Sequence, residues 1–118
     1  MVATRYLSAH PDVVEKVIAA LTEGLAFSLA DKNKLDVMRA FNASLNITDP
    51  NTAASNLGEL KRKPYPSLVS LKKMQSVMAT HDARVLAVKI EDLIEDRFVR
   101  KLDESGEIDR LFAAHGVN

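Results

Sequence analysis

The sequence predicts an all-α fold, a single domain over residues 1–118 built of about six helices packed orthogonally. Three observations carry this. Apolar residues recur at three- and four-residue spacing through most of the chain. Prolines, capping side chains and glycines bracket those runs at the positions where helices begin and end. The alternating pattern of a strand is nearly absent, so at most a short strand is expected near the N-terminus, at Val2-Ala3.

The first helix signal is His10-Pro11-Asp12. Proline suits the first helical position, where its missing N–H is not needed, and Asp12 meets the positive end of the helix dipole. Over residues 11–30 the polar side chains Asp12, Glu15, Lys16, Thr22 and Glu23 fall on one narrow stripe filled in by Ala19 and Ala26. The rest is apolar or small, which predicts a central helix covered on most of its sides. Asp31 is expected to cap a second helix over 32–44, with Leu35, Met38, Phe41 and Leu45 in step. Asn46-Ile47-Thr48-Asp49-Pro50 reads as a turn into a third helix, with Asp49 as cap and Pro50 as first residue. Its apolar face is weak (Ala53, Ala54, Leu57, Leu60), and Gly58 inside it costs about 1 kcal/mol against alanine.

Lys61-Arg62-Lys63-Pro64-Tyr65-Pro66 is predicted to be extended, because two prolines at alternate positions exclude regular helix. Ser67 then caps a fourth helix over 68–80, carrying Leu71, Met74 and Met78. Residues 82–89 fit a short strand at 84–88, a helical turn or a buried loop. Ile90, Ile94, Phe98 and Leu102 step by four and predict a continuous helix, with Asp96 and Arg100 paired along its exposed face and Gly106 as its stop. A last helix over 107–115 carries Ile108, Leu111 and Phe112 and ends at Gly116.

Composition narrows function. Hydrophobic residues make up 47% and charged residues 27%, enough for a core rather than a disordered chain. Lys plus Arg and Asp plus Glu stand at 16 each, so no net positive field gathers nucleic acid or an anionic membrane. The chain has no cysteine, which excludes disulfides, thiolate nucleophiles and Cys-ligated metals without choosing between cytoplasm and periplasm. No apolar run is long enough to insert in a bilayer. Met1 to Tyr6 lacks the basic head and apolar core of a signal peptide, so the export signal of an exported protein would lie upstream.

Candidate chemistry is thin. His10, His81 and His115 stand alone near inferred helix ends, without the spacing of a helical metal pair, and read as surface or capping groups. Glu91, Asp92, Glu95 and Asp96 lack the alternate spacing and glycine turn of a calcium loop and read as a solvated helix face. Lys61-Arg62-Lys63, with Lys72 and Lys73 downstream and Tyr65 as a stacking ring, offers a phosphate contact. The neutral balance and only six aromatics favour a solvated loop, with Lys63 beside a docked Pro-Tyr-Pro. Asp103-Glu104-Ser105-Gly106 is no serine elbow, and four scattered glycines form no phosphate loop. No nucleophile, base and oxyanion donor come together, so no catalytic residue, metal site or cofactor is expected and the chain is read as a non-enzyme.

Three stretches in order carry a resemblance: Thr4-Arg5-Tyr6-Leu7-Ser8-Ala9-His10-Pro11-Asp12-Val13-Val14; Lys63-Pro64-Tyr65-Pro66-Ser67; and Asp92 to Gly106 followed by Ile108-Asp109 and Leu111. Together they resemble the C-terminal part of bacterial ABC-transporter substrate-binding proteins, of the type serving nitrate, sulfonates such as taurine, and thiamine-pyrimidine precursors. The resemblance runs over essentially the whole chain. It implies a helical segment of a much longer two-lobed periplasmic protein that takes up a small organic or anionic nutrient and delivers it to a membrane permease. The ligand cleft would lie upstream, so the resemblance assigns no ligand-binding residue here. The alternative is an independent all-α interaction module with no small ligand. Without the lobes, part of the apolar surface on 11–30 or 90–104 would face water, and a homodimer, formed by helix exchange in one version, is expected of the isolated chain.

Overall fold

The computed structural model describes residues 2–47 and 49–117. The described residues form seven α-helices and three 3-10 turns: α1 (Thr4–Ala9), α2 (Pro11–Leu29), a turn at Asp31–Asn33, α3 (Lys34–Leu45), α4 (Pro50–Gly58), α5 (Leu68–Ala79), turns at Ala83–Ala87 and Ile90–Leu93, α6 (Arg97–Glu104) and α7 (Glu107–Ala114). The fold is all-α, as expected, and among the described residues there is no strand. Val2 and Ala3 carry no regular structure, and Ala3 instead leads directly into α1.

Much of the punctuation behaves as read. Pro11 opens α2, Pro50 opens α4, and Ser67 caps α5 by accepting the Ser70 N–H at 3.2 Å. Lys61 to Pro66 is non-helical. Gly106 (φ 76°) reverses the chain between α6 and α7, a left-handed conformation in which a Cβ would be strained, and Gly116 (φ 77°) follows the end of α7. Asn46 (φ 51°, ψ 37°) closes α3 in the same left-handed region, which asparagine tolerates. Asp49 accepts the Thr52 hydroxyl at 2.9 Å. Thr48, within the expected turn, lies outside the described residues, as does the side chain of Ala53.

Three expectations are corrected, and residues 82–89, left open between strand, helical turn and loop, take the helical turn. Asp31 makes no capping bond and sits in a 3-10 turn, while Asn33 ties that turn back by donating from Nδ2 to the Phe27 carbonyl at 2.9 Å. Gly58 ends α4 rather than interrupting it, which leaves Leu60 outside the helix. Residues 83–87 are a 3-10 turn, because the Asp82 carboxylate accepts the Arg84 N–H at 3.0 Å and holds the guanidinium as well. The continuous helix from Ile90 is broken: Ile94 is extended (φ −98°, ψ 125°) and Glu95 accepts the Arg97 N–H at 3.1 Å. A carboxylate that bonds backbone two residues on offers the chain an alternative to the helical bond, and it wins here over the four-residue apolar step.

The centre of the molecule is α2 packed on α6 and α7. Ala26, Val99, Leu102, Ile108 and Phe112 form the buried cluster, with Ile18, Ala19, Leu25, Leu29 and Val117 half-covered around it. Ile108 and Phe112 are fully buried, each stabilising by roughly 1.5–3 kcal/mol relative to exposure. The helix therefore packs through its small residues: Thr22 and Ala26, at 1% and 0% exposure, face the core. Small side chains let α7 approach closely, and the Thr22 hydroxyl is satisfied by donating to the Ile18 carbonyl at 2.8 Å. This overturns the expectation that α2 is covered on most sides and that Thr22 belongs to its polar stripe. Val17 and Leu21, on the far side, are 51% and 65% exposed.

Two limbs leave this centre. One is α3 with α4; the other is α5 with the two following 3-10 turns. Among the described residues of α3 and α5 none is buried. The chain spans 45 × 38 × 22 Å with a radius of gyration of 16.7 Å, against about 13.5 Å for a compact domain of this length. Its accessible surface is 8647 Å², against about 6,300 Å² for a compact monomer of this mass.

Candidate interaction surface

Exposed apolar side chains are grouped rather than scattered. On α2 they are Val13, Val17, Leu21 and Phe27, interleaved with the exposed Ala20 and Gly24. Along one edge this face runs into a groove of about 520 Å³, walled by Tyr6 of α1, Leu93, Ile94 and Phe98. On α5 the exposed set is Leu68, Val69, Met74, Val77 and Met78. Gln75 on the same helix donates from Nε2 to the Val85 and Val88 carbonyls, each at 2.8 Å, and so fastens the 3-10 turn to α5 with polar rather than apolar contacts.

The polar side of the molecule is a set of ties. The extended segment docks on the α6–α7 corner: Lys63 pairs with Asp103 at 2.6 Å, Tyr65 donates its hydroxyl to the other Asp103 oxygen at 2.9 Å, and Arg62 pairs with Asp109 at 2.9 Å. The Arg62 guanidinium also lies over the Phe112 ring, 4.9 Å from its centre. Lys101 reaches Glu15 at 2.7 Å, tying α6 to α2. Lys63 was expected beside a docked Pro-Tyr-Pro; what sequence reading missed is the partner, Asp103, whose separation from Tyr65 leaves no local signal.

Hydrogen bonds from Lys63 and Tyr65 hold the Asp103 carboxyl below its ordinary 3.8. The Lys63 ammonium is raised above 10.5, chiefly by the same bond, and Tyr65 is raised above 10.0 by desolvation and by Asp103. The signs follow. A lowered carboxyl contributes above its unfolded value and loses that contribution as pH falls through the folded one; a raised lysine or tyrosine contributes below its unfolded value and loses it as pH rises through the folded one. The clasp is thus closed at neutral pH and opens at both extremes. Asp103→Asn is expected to move the Tyr65 ionisation down toward 10.0, read by ultraviolet titration of tyrosine; an unmoved midpoint would show that the clasp does not form.

The other flagged residues fall as surface groups. His10 lies between α1 and α2 with its ring 4.7 Å from Tyr6, His81 follows α5, and His115 meets Phe27 edge-on at 6.0 Å. Glu91 pairs with Lys72, Glu95 with Arg97, and Asp96 with Arg100 as expected. The acidic group does not share one helix face, because the chain breaks between Leu93 and Arg97. In the basic run, Arg62 and Lys63 are engaged by carboxylates. Among the described residues no group of three or more His, Asp or Glu side chains is placed to hold a metal, and no helix is long and apolar enough to cross a membrane.

No family model matches this chain, and neither a curated protein nor a solved structure does.

Proposed function

We propose that this chain is a non-catalytic helical docking module, which works by covering its exposed apolar faces with protein. One observation carries the reading: a surface about a third larger than a compact monomer's, its excess marked by apolar side chains aligned on α2 and exposed around α5. Ties such as Lys63–Asp103 and Lys101–Glu15 brace the centre and leave those faces free. With no other partner present, such a chain associates with itself.

A second reading is favoured by the spread of that surface over α2, α3 and α5, more than one partner helix covers. In it the chain is the C-terminal helical segment of an ABC-transporter solute-binding protein. Its apolar faces would brace the two lobes of a longer periplasmic chain that works with a permease. An open reading frame running upstream through two α/β lobes to a signal peptide would support it; a stop codon just before Met1 would overturn it.

Both share one test. A hydrophobic dye is expected to fluoresce with the dilute chain, and less so as concentration rises and light scattering reports association. A chain that stays monomeric and binds no dye would overturn docking altogether.

A further inference from the structure

Among the exposed positions of α2, the apolar or small ones Val13, Val17, Ala20, Gly24 and Phe27 fall on one line, with Leu21 beside them. Their spacing is four, three, four, three. That is the seam of a two-helix coiled coil, and it lies opposite the Thr22–Ala26 face that holds the core. Among the described residues no element covers it along its length.

We infer that a second copy of this chain docks here, its α2 running antiparallel to the first. The inference rests on the docking reading above and specifies the occupant, the face and the register. Size and charge select the register. In antiparallel pairing about a two-fold axis between Ile18 and Ala19, Val13 meets Gly24 of the partner subunit and Val17 meets Ala20 of the partner subunit, with the reciprocal contacts beyond the axis. Each of these four layers then sets a large side chain against a small one, which lets the backbones approach closely, and Phe27 lies beyond them at the end of the seam. A Cβ built on Gly24 meets nothing within 4 Å in one protomer, so there is room for the partner's valine.

The same register places Lys16 against Glu23 of the partner subunit, twice over. Both charges flank the seam on one side, and both are exposed. Sliding the partner by one heptad in either direction sets Glu23 against Glu23 of the partner subunit, or Lys16 against Lys16 of the partner subunit. A parallel pair leaves both facing uncharged residues, Leu21 and Ser28. Charge complementarity therefore holds for this arrangement and fails for its neighbours. The surface exceeds a compact monomer's by roughly 2,300 Å² over the whole chain, against the ~800 Å² each partner gives to a stable interface, so the α2 seam needs only part of that excess.

The test is sedimentation or light scattering across concentrations, with circular dichroism to confirm folding. The full chain is expected to sediment at twice its mass at high concentration. Gly24→Arg, at a site open in the monomer, is expected to keep the helical signal and to weaken dimerisation at least about tenfold. Lys16→Glu is expected to weaken it roughly three- to tenfold, and adding Glu23→Lys should bring it back to within about twofold of the parent. A chain monomeric at every concentration overturns the second-copy inference, while dye binding by that monomer would leave protein docking standing. A dimer that tolerates Gly24→Arg overturns the α2 seam, and a double reversal that fails to restore the dimer overturns the antiparallel register.

Discussion

Truncation of Phe112 to alanine is expected to lower the unfolding free energy by about 3–5 kcal/mol, the usual cost of emptying a fully buried aromatic site. Few mutations here should do more. The buried cluster is small, and Phe112 lies at its centre with no exposure, packed with Ala26, Val99, Leu102 and Ile108. A domain of ordinary stability has roughly 5–15 kcal/mol in total, so the loss is a large fraction of the whole. The same ring carries the Arg62 guanidinium on its face, and truncation also loosens the extended segment from the α6–α7 corner. Urea unfolding followed by circular dichroism, at one fixed protein concentration, measures it. A change below about 1 kcal/mol would mean that α7 does not pack on α2 as described.

The second large effect is of the opposite kind. Ala26→Leu is expected to destabilise by roughly 1–3 kcal/mol, although leucine is larger, more apolar and nearly as good a helix former. Ala26 is fully buried where α2 meets α7, and added atoms there must push the helices apart. The control is Leu35→Ala on α3, where the side chain is 69% exposed and its removal is expected to change stability by no more than about 0.5 kcal/mol. Equal effects at the two sites, by the same urea measurement, would refute the packing of α2 through its small residues.

The helices were legible because their ends are local events. Pro11, Pro50, Ser67, Gly106 and Gly116 act on backbone within a residue or two, and each does in the structure what its type predicts. The break at Ile94 was not legible from periodicity, since the apolar step of four continues across it; the competing bond from Glu95 to Arg97 was the missing term. The orientation of α2 was misjudged for a related reason. Hydrophobicity alone assigned its large residues to the interior, whereas the close contact with α7 is made where α2 turns Thr22 and Ala26 inward, with Ala19 beside them. The 4-3-4-3 spacing was present in the sequence but has meaning only once the other face of the helix is known to be occupied. The Asp103 clasp, joining residues 38 positions apart, had no local sign at all.

Where α2 lies along the chain also sets an order of events during synthesis. Its partners α6 and α7 begin at Arg97 and Glu107, and the Glu15–Lys101 tie spans 86 positions. At roughly 5–20 residues per second, α2 leaves the ribosome about 4–17 s before the strands of contact that hold it can exist. Through that interval both of its faces are bare, the one that will enter the core and the one that will not. A nascent chain in this state exposes more apolar surface than the finished one, and its aggregation hazard is greatest before α6 and α7 exist.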